Sequence, residues 1–129
     1  MKLHADRPEQ HSISAYGPGW IAVNGERMHA SFVLSSEAGI LSQWVPVPLP
    51  SMQATHFEQL LELAGEPRPE LVILGTGEQL RFVHPKHTAV LTSQRVGLET
   101  MDTQAACRTF NVLAGEGRHV LAILLQEEV

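Results

Sequence analysis

The sequence predicts an α/β fold in which an N-terminal meander of antiparallel strands is followed by a β-α-β-α-β unit. Three observations carry this. Asn24-Gly25, flanked by alternating apolar residues, is a hairpin signal, because a type I′ turn needs positive φ at both central positions. Residues 71–74 and 120–125 are continuous aliphatic runs, as strands buried on both faces require. Helix-like segments and a short strand lie between those runs, and a strand-helix-strand order forces parallel pairing with right-handed crossovers.

The elements follow in order. From Ser12 the pattern is that of a strand: Ile13 and Ala15 alternate with polar neighbours, Gly17-Pro18-Gly19 breaks the run, and residues 20–23 resume it. The return strand is expected over 27–34. A second break at 35–39 leads into an alternating strand over 40–45. Pro46, Pro48 and Pro50 each lack a backbone donor, so this segment is expected to be an extended edge or connector. Thr55 and Glu58, three apart, form a capping-box pattern for a helix whose apolar face is Phe57, Leu60, Leu61 and Ala64, and which Gly65 and Pro67 end. Beyond the 71–74 strand, Pro85 suits the first turn of a helix reaching about Arg95. Gly97 is expected to end it, and 98–101 to form a short strand. Asp102 or Thr103 caps the next helix, with Ala106, Phe110 and Leu113 on its inner face, and Gly115 and Gly117 stop it. Residues 1–10 are expected to be flexible, and 11–129 to form a single α/β domain.

The 129 residues hold 9 Lys and Arg against 14 Asp and Glu, a net charge of -5. An acidic chain without a basic stripe speaks against nucleic-acid binding and against docking on anionic lipid. No apolar run approaches the ~20 residues of a spanning helix, so no direct membrane insertion is expected and cytoplasm is the default location. Self-association through an exposed sheet edge stays open. Cys107 is the only cysteine, which excludes an internal disulfide and a multi-cysteine zinc site; it reads as a small buried hydrophobe.

Gly75-Thr76-Gly77 closes a buried strand in the manner of a phosphate cradle. In a parallel sheet, ligands sit beyond the carboxyl ends of the strands. If 71–74 and 98–101 are neighbours, Asp102 and Thr103 share that edge, with the start of a helix offering N–H groups to an anion. The dinucleotide version fails: a third glycine would fall at Leu80, and the helix starts only at Pro85. No Walker A loop occurs, and Glu99 is weak support for a ribose site. His84 and His87 form an H-x-x-H pair for which no third ligand can be named, so no metal is expected. Thr103, Cys107 and Asn111 share one helix face. A buried Asn111 must hydrogen-bond something; it either ties down the glycine turn or lines a pocket. Glu116 and Arg118 lie towards the opposite end of the sheet, as a salt bridge or as a partner contact. No catalytic set and no cofactor follow from these residues.

Taken together, residues 72–78 (VILGTGE), 101–113 (MDTQAACRTFNVL) and 116–118 (EGR), with 16–23, the Asn24-Gly25 hairpin and Gln43-Trp44, resemble a family of small proteins of unknown biochemical activity. Its eukaryotic branch includes assembly factor three of mitochondrial respiratory complex I. The resemblance covers about residues 12–125. It implies a three-layer β/β/α fold with a mixed, curved sheet, and a non-enzymatic role in binding other proteins during complex assembly. The lack of a mitochondrial targeting extension is what a bacterial member should show. The family-matching positions are Gly75, Thr76, Gly77, Asp102, Thr103, Cys107, Thr109, Asn111, Glu116 and Arg118, and the resemblance assigns a catalytic role to none. The competing expectation is a small-anion binder or enzyme built on the edge formed by Gly75, Thr76, Gly77, Asp102 and Thr103.

Overall fold

Asn24 and Gly25 take φ of 48° and 89°, and their two-residue turn joins β2 (Trp20–Val23) to β3 (Glu26–Met28) with Val23 opposite Glu26. β1 (Ile13–Gly17) pairs antiparallel with β2, giving a small sheet of order β1-β2-β3. These are features of a computed structural model that describes residues 11–126; the flexible segment expected at 1–10 lies outside the described residues.

The return strand expected over 27–34 is two strands in two sheets. β3 is largely exposed, whereas β4 (Phe32–Ser35) is buried along its whole length and needs cover on both faces. One half-buried strand cannot satisfy both. The break between them is held by Gln126, whose side-chain amide donates to Met28 O at 3.0 Å and Ala30 O at 2.8 Å. The strand expected over 40–45 is also shorter. Of this stretch only Ile40 is in a strand, β5 (Gly39–Ile40), which pairs with β4, and the chain then turns so that Leu41 and Trp44, three apart, enter the same core. The Trp44 indole N–H donates to His56 O at 2.9 Å, fixing that turn to the next helix.

That helix is α1 (Ala54–Ala64), and its cap is not Thr55 with Glu58. Gln53 is the cap residue: its side chain accepts from the backbone of His56, and His56 Nδ1 accepts from Gln53 N–H at 2.9 Å. The reciprocal logic of a capping box is kept with an imidazole in the carboxylate's place. α2 (Pro85–Ser93) likewise ends differently from expectation. Arg95 adopts the left-handed conformation at φ 63°, and Gly97 is instead the first residue of β7 (Gly97–Met101).

β6 (Leu71–Gly75) pairs parallel with β7 on one side and with β8 (Val120–Leu124) on the other. β8 also pairs antiparallel with β4, so the second sheet is mixed, in the order β5-β4-β8-β6-β7. Side chains alternate across it. Val33, Val72, Leu74, Leu121 and Ile123 meet α1 and α2 in one core. Leu34, Ile73, Ala122 and Leu124 face Ile13, Ile21 and Val23 of the small sheet together with α3 (Thr103–Gly115) in the other. The layers are therefore helices, mixed sheet, and small sheet with α3. The steps from β6 to β7 and from β7 back to β8 run in opposite directions, and their helices cover opposite faces. Both crossovers consequently have the same hand.

Candidate functional site

The carboxyl ends of β6 and β7 meet the head of α3, and the local chemistry explains why glycine stands there. A Cβ on Gly75 would lie 3.0 Å from the Cβ of Ala106 and 3.0 Å from the Cα of Thr103. Only a residue without a side chain lets α3 approach the strand this closely. Gly77, at φ 99°, then reverses the chain.

Thr103 bolts the turn shut. Its hydroxyl accepts from Gly77 N–H at 2.7 Å and donates to Leu125 O at 2.7 Å, while its own N–H donates to Gly77 O at 2.9 Å. Asp102 is the N-cap of α3, its carboxylate accepting from Ala105 N–H at 2.9 Å. Ala106 N–H is taken by Asp102 O. Fully buried Thr76 is engaged as well: its N–H donates to Met101 O, and its hydroxyl donates to Gln79 O at 2.7 Å and accepts from Arg81 N–H. The N–H groups of Thr76, Gly77, Thr103, Ala105 and Ala106 are thus engaged in internal bonds.

Beside this bolt lies a cleft of about 500 Å³, walled by the turn from Tyr16 to Gly19 on one side and the head of α3 on the other. Gly77, Asp102, Thr103 and Cys107 line it; Gly75, Thr76 and Asn111 do not. Among the described residues, its charged side chains are Glu78 and Asp102, and no cationic side chain lines it. Cys107 is fully buried, and burial pushes its thiol up to about 12, a shift that neighbouring Arg108 only partly opposes. It is a neutral thiol at physiological pH and a poor nucleophile. A second cleft of about 520 Å³ lies between the proline connector at 45–50 and the loop carrying Arg81, and Thr76 contributes to it. Gly77, Leu125 and Gln126 line both clefts.

Asn111 neither ties down the glycine turn nor lines a cleft. Its Oδ1 accepts from Ile13 N–H at 2.9 Å and its Nδ2 donates to Ile13 O at 2.7 Å, hooking β1 to α3. Thr109, another family-matching position, donates to the sulfur of Met101 at 3.3 Å. Arg118 forms a salt bridge with Glu70 at 3.1 Å at the far end of the sheet, and Glu116 is the exposed C-cap of α3. His84 caps α2 by accepting from Lys86 N–H, with its ring centroid 6.4 Å from that of His87. Among the described residues, no three His, Cys, Asp or Glu side chains stand together as a metal site, and no helix is long and apolar enough to cross a membrane.

Sequence reasoning missed Tyr16, Glu78, Arg81 and Gln126. Gly17-Pro18-Gly19 carry a strand-break signal and 16–23 a family resemblance, but neither places them against α3, a meeting that is a product of sheet stacking. Arg108, expected in solvent, is exposed and also donates to the Tyr16 hydroxyl at 2.9 Å, spanning that junction.

A family model described as "Protein of unknown function (DUF498/DUF598)" matches residues 13–125. The chain is 29% identical over 123 residues to the mouse protein named NADH dehydrogenase [ubiquinone] 1 alpha subcomplex assembly factor 3, covering 95% of this chain and 64% of that protein. The chain thus spans just under two thirds of that relative's length. Among solved structures, a Bordetella parapertussis protein superposes with a TM-score of 0.81 at 35% identity, covering 92% of this chain and 97% of that one. A Bordetella pertussis protein described as a Mth938-like domain gives 0.77 at 33% identity, covering 97% and 92%.

Proposed function

The chain belongs to the DUF498/DUF598 family of proteins of unknown function, and from that premise we propose that it is a non-enzymatic protein-interaction or complex-assembly factor acting in the cytoplasm. The observation that carries the reading is the match along 95% of the chain to a protein named as an assembly factor of NADH dehydrogenase. The site's chemistry supports it. The Cys107 thiol is held neutral, the Asp102 carboxylate is committed to a helix cap, and the Thr103 hydroxyl is committed to two backbone partners.

The test is affinity capture of the tagged chain from its native cells at native expression, paired with deletion of its gene. The reading expects enrichment of subunits of the membrane NADH dehydrogenase in soluble fractions, and a fall in membrane NADH dehydrogenase activity on deletion. Unchanged activity together with no enriched subunit would overturn it.

A second reading, a small-ligand binder or enzyme, rests on the first cleft, whose volume is within the usual ligand range of roughly 300–1,000 Å³. The carboxylates of Glu78 and Asp102 in the lining favour a neutral or cationic ligand over an anion. A thermal-shift screen addresses it, since a ligand at 100 times its Kd stabilises by about 2.7 kcal/mol.

A further inference from the structure

Resting on the interaction reading above, we infer that the open edge of β7 is a docking site for an extended segment of a partner protein, which adds to the mixed sheet as a further strand and sets a Lys or Arg against Glu99. The edges of the two described sheets are β1, β3, β5 and β7. All but β7 are blunted in the ways that guard an edge against pairing. β5 is two residues long, and the His11 ring stands over it, 2.9 Å from where a Cβ on Gly39 would lie. The register of β1 shifts between Ile13 and Ala15, and β3 is three residues, with Glu26 and Arg27 among them. β7 runs five residues in unbroken register with β6, without a proline and with Glu99 as its one charge.

The ladder fixes which backbone groups are free. Gly97 N–H donates to Glu70 O and Thr76 N–H donates to Met101 O, so Gly97, Glu99 and Met101 turn their backbone groups towards β6. Those of Leu98 and Thr100 point the other way, and no described residue takes them. Both residues thus offer an N–H and a C=O at the spacing an incoming strand needs.

Charge selects the occupant. Side chains alternate along β7: Leu98 packs in the core with α1 and α2, while Gly97, Glu99 and Met101 face the α3 side. Glu99 is exposed, and among the described residues its carboxylate has no ion pair or hydrogen bond. Half-buried apolar groups flank it. Met101 lies on one side, and on the other is Leu71, whose Cδ1 is 3.0 Å from where a Cβ on Gly97 would stand. A basic side chain with apolar neighbours two positions away on either side complements that face. Because Glu99 directs its backbone inward, an antiparallel strand meets it in the closer, non-hydrogen-bonded kind of pair. A second copy of β7 pairing antiparallel about Glu99 would set two carboxylates directly opposite each other. The residue that attracts a basic segment therefore repels that self-pairing.

Selection of displayed random dodecapeptides on the immobilised full chain tests the inference. The expected result is enrichment of peptides with a Lys or Arg flanked by apolar residues at alternate positions, whose binding slows hydrogen exchange at the Leu98 and Thr100 amides. Glu99→Lys should weaken those peptides by about fivefold or more and enrich acidic peptides in their place. Glu99 is exposed, so this variant retains the fold, which a melting curve verifies. N-methylating the alternate amides of a bound peptide in one of the two possible phases should abolish binding, with the protein untouched. No enrichment over an unrelated protein, equal binding to the Glu99→Lys variant, insensitivity to N-methylation in both phases, or binding that leaves Leu98 and Thr100 exchanging freely would overturn the edge site. So would a wild-type dimer in sedimentation whose formation protects those two amides. Native capture judges the interaction reading separately: NADH dehydrogenase subunits captured equally by wild type and Glu99→Lys would leave that reading standing and remove this one.

Discussion

Replacing Thr103 with valine removes one oxygen and orphans two backbone groups. Valine matches threonine in size, so packing against Gly75 and Ala106 is retained. Gly77 N–H loses its acceptor and Leu125 C=O loses its donor, each from a 2.7 Å bond. A buried polar group left unpaired costs about 1–3 kcal/mol, so the pair costs roughly 2–6 kcal/mol. Water entering from the adjoining cleft would bring the loss to the lower figure. At about 4 °C per kcal/mol for a domain of this size, the melting temperature falls by roughly 8–24 °C. Thr103→Ser is the control, because it keeps the hydroxyl and gives up one methyl, about 1 kcal/mol. Denaturant unfolding of the three proteins, with unchanged m-values, reads the order wild type, serine, valine. If the valine variant is as stable as the serine variant, the bolt is not what closes this end of the sheet.

Two further outcomes are expected. Asn111→Ala should cost about 1–2 kcal/mol and raise hydrogen exchange selectively at Ile13 and the rest of β1, leaving β6 and β8 protected; uniform exchange across both sheets would refute the hook. The Cys107 thiol should resist alkylation in the native state and react on unfolding. Because its pKa is raised from about 9.0 to about 12 on folding, the unfolded chain ionises first. Its contribution is therefore fully present below about pH 9 and is lost as pH rises towards 12. Cys107→Ala should flatten the alkaline fall in stability relative to wild type, as seen in unfolding curves at stepped pH.

The β-α-β-α-β half was legible because its signals are local. Continuous aliphatic runs, a proline at a helix start and an Asp cap each report on residues a few positions away, and the strands at 71–75, 97–101 and 120–124 fall where they were expected. The N-terminal half was harder for a physical reason. Residues 27–34 look like one strand, but their break depends on a glutamine nearly a hundred positions further on, and Gln126 leaves no mark near Ala30. The site divides the same way. Gly75, Thr76, Gly77, Asp102 and Thr103 do converge on one edge, as neighbouring strands require. What they do there is set by Leu125 and Ala106, which only the packed structure supplies. Asn111 is expected to need partners only if buried; it is exposed and still pairs with Ile13, a partner the sequence does not name because Ile13 lies in a strand 98 positions away.

The place of β8 has a consequence for how the domain is made. Among the described elements this strand comes last in chain order, yet it lies inside the mixed sheet, between β4 and β6. While the chain is being synthesised, β4 with β5 and β6 with β7 can each pair, but the two halves have no shared strand to join them. The Gly77 turn also lacks the Leu125 carbonyl that secures Thr103. A nascent chain therefore exposes the facing edges of β4 and β6 until residues 120–125 clear the ribosome. The mixed sheet can close only once β8 is available, because it alone among the described strands pairs with both β4 and β6.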